Sequence, residues 1–195
     1  MKKALRNIVI LIALILSSLT GCAGTKFFFF GVDTDIVIEA KGSDWAKVGA
    51  GVVTSIGAHI GGHWLAGEVF DIDYKFQDHY REEEIDYDCW SGETCSNSDL
   101  RWFARGGFVL QHTIGTALTS FEATRYSYFT KGFVATNAVH TWTYMHGNRS
   151  DYHDFKMLDH AGGNGDLEWG IYSAISLHNV LRTPWSREGQ NESRR

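Results

Sequence analysis

Apolar and polar positions along this chain change rhythm several times, and the changes outline a set of helices with little strand. Over 44–70, small residues recur every fourth position at Gly49, Val53, Gly57 and Gly61. One helical face carries positions spaced by four, so this stripe predicts a helix packed closely through small side chains. Ser43 or Asp44 is placed to cap its start. Further helices are predicted over 100–124, where Gly106, Gly107, Gly115 and Ala117 are again small, over 131–145, and over 166–181 with Asp166 as N-cap. Histidines, threonines and charges interrupt all four, so none reads as a clear membrane span. The β-branched run over 35–39 and the alternation over 70–76 predict short strands. The expected fold is mostly α, a bundle of about four helices with a small β element and a disulfide loop.

The first residues follow a different logic. Lys2, Lys3 and Arg6 precede an unbroken apolar run over 8–16, which is too short to span a bilayer. A basic stretch followed by a short apolar one is the pattern of an export signal. The sequence Leu19-Thr20-Gly21-Cys22 that ends it resembles the lipobox of bacterial lipoproteins. The resemblance implies cleavage before Cys22, a diacylglycerol on its thiol, and a chain held to membrane lipid in the cell envelope, on the periplasmic or extracellular side. An ordinary secretory signal or an uncleaved anchor is the alternative. The chain then divides into a signal over 1–21, a tether and short strand over 22–44, a helical domain over 45–182 and a polar tail over 183–195. Four consecutive phenylalanines, Phe27 to Phe30, lie just after Cys22 and either enter the bilayer interface or pack under the domain.

Charge narrows the function classes. The whole chain carries 18 Lys and Arg against 23 Asp and Glu. Loss of Lys2, Lys3 and Arg6 with the signal leaves 15 against 23, a net −8. Nucleic-acid binding, which depends on neutralising phosphates, is not expected of such a chain. Eleven of the acids fall within 68–99. Glu82 to Glu84 with Asp86 and Asp88 read as a solvated loop or a weak calcium site, without the glycine-punctuated ladder of a calcium loop. Cys89 and Cys95 bracket five residues, and in an oxidising compartment they suit a structural disulfide. A metal site is the alternative, although the spacing is not that of a zinc knuckle.

Candidate chemistry centres on His59 and His63. Two histidines four apart share a helical face, so both imidazoles can point at one ion. The surrounding Ala58-His-Ile-Gly-Gly-His-Trp-Leu-Ala-Gly-Glu-Val-Phe70, then Ala104-Arg-Gly-Gly-Phe-Val-Leu-Gln111, and last Asn137 with Met157-Leu-Asp-His-Ala-Gly-Gly163, follow one another in order. Together they resemble the motifs of the site-2 protease family of membrane zinc metallopeptidases, across roughly 45–181. The resemblance implies a zinc site made by His59, His63 and Asp159. It also implies a departure, because the family's catalytic glutamate is Ile60 here, and isoleucine takes no proton from water. The second motif lacks its proline, and His160-Ala161 separates Asp159 from the glycine pair.

A hydrolase would need a base from elsewhere, such as His140, His160 or Asp166; Glu68 lies too far round the helix. His112, His140 and His178 fall one per predicted helix and either face one another around a metal or haem or bond neighbouring helices. Three readings follow: a non-peptidase, metal-binding lipoprotein; a metal-dependent hydrolase with a relocated base; and a structural or interaction lipoprotein without metal.

Overall fold

The computed structural model describes residues 25–29, 32–36, 38, 40, 42–72, 95–146 and 154–185. The expected signal, Cys22, Cys89, the acidic clusters at 82–88 and the strand expected over 70–76 beyond Ile72 lie outside them. The described residues are mostly helical, with six helices: α1 (Asp44–Phe70), α2 (Asn97–Ser120), α3 (Glu122–Arg125), α4 (Tyr128–His146), α5 (Asp154–His160) and α6 (Gly165–Arg182). None is long and apolar enough to cross a membrane. Before them, the backbone of β1 (Thr25–Phe29) pairs antiparallel with β2 (Val32–Ile36). The second strand therefore begins ahead of the expected 35–39.

Local chemistry sets the helix ends. The Ser96 hydroxyl accepts from the Asp99 amide at 3.2 Å and caps α2, satisfying one of the donors a helix start leaves free. Asn164, not Asp166, caps α6 by accepting from the Leu167 amide at 2.9 Å. Asp166 sits inside the first turn, where its charge favours the helix dipole without capping it. At the end of α1, Asp71 takes a left-handed conformation (φ 56°) and Ile72 N–H donates back to the Gly67 carbonyl at 2.9 Å. The chain turns sharply there, and Ile72 is buried beneath Phe103 and Leu158.

Helix α1 packs against α2 on one side and α4 on the other. The buried positions of α1 are Val48, Gly51, Val52, Ser55, Ala58, His59, Gly62, Ala66 and Gly67, spaced by three and four as a core-facing stripe must be. This is not the expected stripe. Gly49, Gly57 and Gly61 meet nothing within 4 Å, and Val53 is 58% exposed. The period was right and its phase was off by two residues. Close approach comes from the other glycines. A Cβ on Gly51 would stand 2.1 Å from the Phe129 carbonyl oxygen, and one on Gly132 would stand 2.1 Å from that of Val48. On the opposite flank a Cβ on Gly62 would lie 2.1 Å from the Gly106 oxygen.

The remaining core falls into three groups. Ala66, Ile72, Phe103, Ala104, Met157 and Leu158 fill the space between α1, α2 and α5. Val134, Ala138 and Val180 join α4 to α6, with Trp185 folded back so that its indole N–H donates to the Val180 carbonyl at 2.9 Å. Phe108, Phe155 and Tyr172 form an aromatic group at the centre.

Gly51 and Gly57 differ only in which side of α1 they occupy, and they should respond oppositely to alanine. G57A gains helix propensity in open space and should stabilise by roughly 0.5–1 kcal/mol. G51A drives a Cβ into backbone and should destabilise by at least ~1–3 kcal/mol. Urea unfolding midpoints of the two variants check this directly.

Candidate metal centre

His59 and His63 lie one turn apart on the buried side of α1, so the helix itself aims both rings at α2. They fit there because α2 has Gly107 beneath them. A Cβ on Gly107 would stand 2.5 Å from His63 Nε2 and 2.7 Å from His59 Nδ1. Any residue but glycine would occupy the rings' place.

The third member arrives from α5. Asp154, the first residue of that helix, brings Oδ2 to 3.2 Å from His59 Nε2 and 3.3 Å from His63 Nε2. The two Nε2 atoms are themselves 3.2 Å apart. Ligand bonds near 2.0–2.1 Å in a tetrahedral shell put neighbouring donor atoms about 3.3–3.4 Å from one another, so the triangle has the size of one face of such a shell. All three side chains are nearly sealed from solvent, at 9%, 12% and 10% exposure.

Hydrogen bonding explains why the triangle suits a cation. His63 Nδ1–H donates to the Phe103 carbonyl at 2.9 Å, which leaves a lone pair on Nε2 of the neutral ring. Asp154 Oδ2 is a buried acceptor that meets hydrogen-bond geometry with no group, despite its two close nitrogens. Two ring nitrogens and a carboxylate oxygen thus converge, an arrangement suited to sharing a positive charge. In the ion-free form that charge is a proton. Burial lowers the proton affinity of His63, but Asp154 and the Phe103 carbonyl outweigh it and raise the pKa above its ordinary value. Burial would likewise raise Asp154, yet the two imidazoles hold its carboxyl well below the usual range.

Around the triangle stand aromatic rings and two further histidines. His140 on α4 packs edge-on against His59, with ring centroids 4.3 Å apart, and stacks on Phe108 at 5.5 Å. Its Nδ1 faces Gln111 Oε1 at 3.3 Å. His112 belongs to a separate network: its Nδ1–H donates to the Phe108 carbonyl at 2.9 Å, and its Nε2 accepts from the Ser176 hydroxyl at 3.0 Å. Burial is the leading reason that His112 is pushed down to about 4 and His140 to about 3. Both are neutral near pH 7.

The other residues singled out in the sequence are elsewhere. Asp159 is exposed, and its Oδ1 accepts from the Gly165 amide at 2.6 Å. It lies on α5 five residues after Asp154, about 140° round the helix, so the two carboxylates face opposite ways. The carboxylate that stands with His59 and His63 is therefore that of Asp154, and the expected Asp159 lies apart from them. Glu68, His160, Asp166 and His178 are all exposed. Among the bases considered, only His140 lies beside the site, and His112, His140 and His178 do not converge on one centre. Ile60 is 41% exposed on the outer side of α1. Asn137 is buried beside Gly115, both of its amide atoms without a partner. Cys95 is buried too.

Asp154 was missed because α5 was not foreseen. Its signal is faint: an acid at a helix start, followed by Phe155 and Leu158 three apart on one face. Comparison with protein-family models, curated proteins and solved structures finds no match to this chain.

Stability should fall on acidification. Below the ordinary 6.5 the unfolded chain protonates His112, while the folded chain does not until about 4. Each such histidine removes roughly 1.4 kcal/mol per pH unit across that window, and His140 adds the same down to about 3. His63, with its raised value, acts in the opposite sense near 6.5, because the folded chain takes up that proton first. Urea unfolding between pH 6.5 and 4.5 should therefore show a shallower pH dependence for His112→Asn than for the unsubstituted protein.

Proposed function

We propose that this protein binds a divalent transition metal ion, zinc by the chemistry of its donors, through His59, His63 and Asp154. The carrying observation is the buried triangle of two imidazole nitrogens and one carboxylate oxygen with edges of 3.2, 3.2 and 3.3 Å. Nitrogen and oxygen donors in a compact tetrahedral face suit zinc better than calcium or magnesium, which take larger or octahedral all-oxygen shells. The fit extends to the surroundings. His63 has its tautomer set by a backbone carbonyl, as metal-bound histidines usually do, and Gly107 leaves room for the rings.

In the same reading the chain is a bacterial lipoprotein, exported and held to membrane lipid by a diacylglycerol on Cys22, with a Cys89–Cys95 disulfide. Its metal site is that of a non-peptidase relative of the site-2 protease family. Support for this part comes from the sequence: the basic and apolar leader, the lipobox and the order of the three motifs. The lack of a carboxylate at position 60 favours a metal-binding role over proteolysis.

Metal analysis of the detergent-extracted protein should find close to one equivalent of zinc. Asp154→Ala and Gly107→Ala should each lower zinc affinity by at least ~100-fold, more than the loss of an outer-shell partner, whereas Asp159→Asn should leave it unchanged. Full zinc binding by the Asp154→Ala variant, or none by the unsubstituted protein, would refute the proposal. Separately, Cys22→Ser should move the protein from the membrane fraction to the soluble one.

A further inference from the structure

Three protein ligands leave a fourth position on a tetrahedral ion, and what fills it decides whether the site can do chemistry. This inference rests on the metal reading above. Gln111 is anchored by its amide nitrogen, which donates to the Ser55 carbonyl at 3.2 Å and lies 2.8 Å from the Ser55 hydroxyl. A carbonyl only accepts, so it must face the NH2 end of Gln111, and Oε1 is turned toward His140. That oxygen in turn can only accept, so His140 carries its proton on Nδ1 and donates it to Gln111. The lone pair of His140 is then on Nε2.

The arrangement repeats that of His63, whose Nδ1–H is held by a carbonyl while Nε2 is left for the site. The ring also has the right neighbour. His59 and His63 have centroids 4.8 Å apart at an interplanar angle of 80°, and His59 and His140 have centroids 4.3 Å apart at 73°. Two rings thus meet His59 edge-on at similar distances, one from its own helix and one from α4.

We propose that His140 Nε2 occupies the fourth coordination position of the bound ion, through a turn of its imidazole toward His59, making a closed shell of three histidines and Asp154. Without the ion His140 stands outside the group of His59, His63 and Asp154, and the chain from Ser55 through Gln111 fixes its tautomer. A closed shell of protein ligands is the signature of a structural or storage site, whereas a catalytic zinc keeps one position for water or substrate. The protein would then hold its metal rather than use it to activate water.

Cobalt(II) is a probe of both points. The full-length, detergent-extracted protein is stripped of metal and reloaded with Co(II) alone. Its visible absorption is recorded with and without azide, and X-ray absorption counts the imidazoles. The expected result is a tetrahedral spectrum that azide does not alter, with three imidazoles. His140→Ala should still take up cobalt, with affinity lower by ~10-fold or more, with two imidazoles and a spectrum that azide shifts. The imidazole count on the unsubstituted protein stands even if that variant fails to fold. Two imidazoles, or a spectrum that azide shifts, in the unsubstituted protein would overturn the closed shell while leaving the metal site intact. Failure to take up cobalt at all would overturn the metal reading itself, and this inference with it.

Discussion

Backbone meeting backbone is the constraint on which this structure rests. Helix α1 touches α4 through Gly51 and Gly132 and touches α2 through Gly62 and Gly106, at separations that no Cβ would tolerate. Such contacts cost helix propensity, since glycine weakens a helix by roughly 1 kcal/mol relative to alanine. What they provide is proximity. With the α1 and α2 backbones this close, the His59 and His63 rings have only the surface of Gly107 to lie on. There they are aimed at the one place that Asp154 can reach from α5.

The interior also holds many polar side chains. Ser55, Gln111, His112, Asn137, Ser176 and Asn179 are all buried, and buried polar groups are expensive unless bonded. Most are bonded, and the bonds carry directional information. Phe103 sets the tautomer of His63, Gln111 that of His140, and Phe108 that of His112. Each ring thereby holds a proton on Nδ1, and the lone pair of its neutral form lies on Nε2 in a known direction. In His112 the lone pair meets a serine hydroxyl; in His63 it meets the other members of the triangle. The same residue type therefore serves two ends, and only the partner distinguishes a packed histidine from one placed to meet an ion.

Electrostatics separates the two groups further. His63 and Asp154 shift in opposite directions because each stabilises the charge of the other, while His112 and His140 are driven toward neutrality by burial. The centre of the bundle thus holds one buried carboxylate beside His59 and His63, with the neutral imidazoles of His112 and His140 and the rings of Phe108, Tyr144 and Phe155 around them. A divalent ion at the triangle would set two positive charges against the single carboxylate of Asp154 and leave a net +1 there.

Much of this was legible along the chain. Helix α1 was expected over the residues it occupies, and the main bodies of α2, α4 and α6 were foreseen. The pairing of His59 with His63 follows from helical spacing alone, because residues four apart share a face wherever the helix is placed. The phase of the small-residue stripe was not legible. Glycines recur on both sides of α1, and which side is buried depends on what α2 and α4 present to it. Nor was Asp154. A seven-residue helix has too few turns to show a period, and nothing local distinguishes its first acid from Asp159. A helix decides by itself which of its own residues stand together, since its geometry is set by backbone hydrogen bonds within one segment. Which carboxylate completes the triangle, and which histidine stands beside it, was decided only when distant helices closed on one another through their glycines.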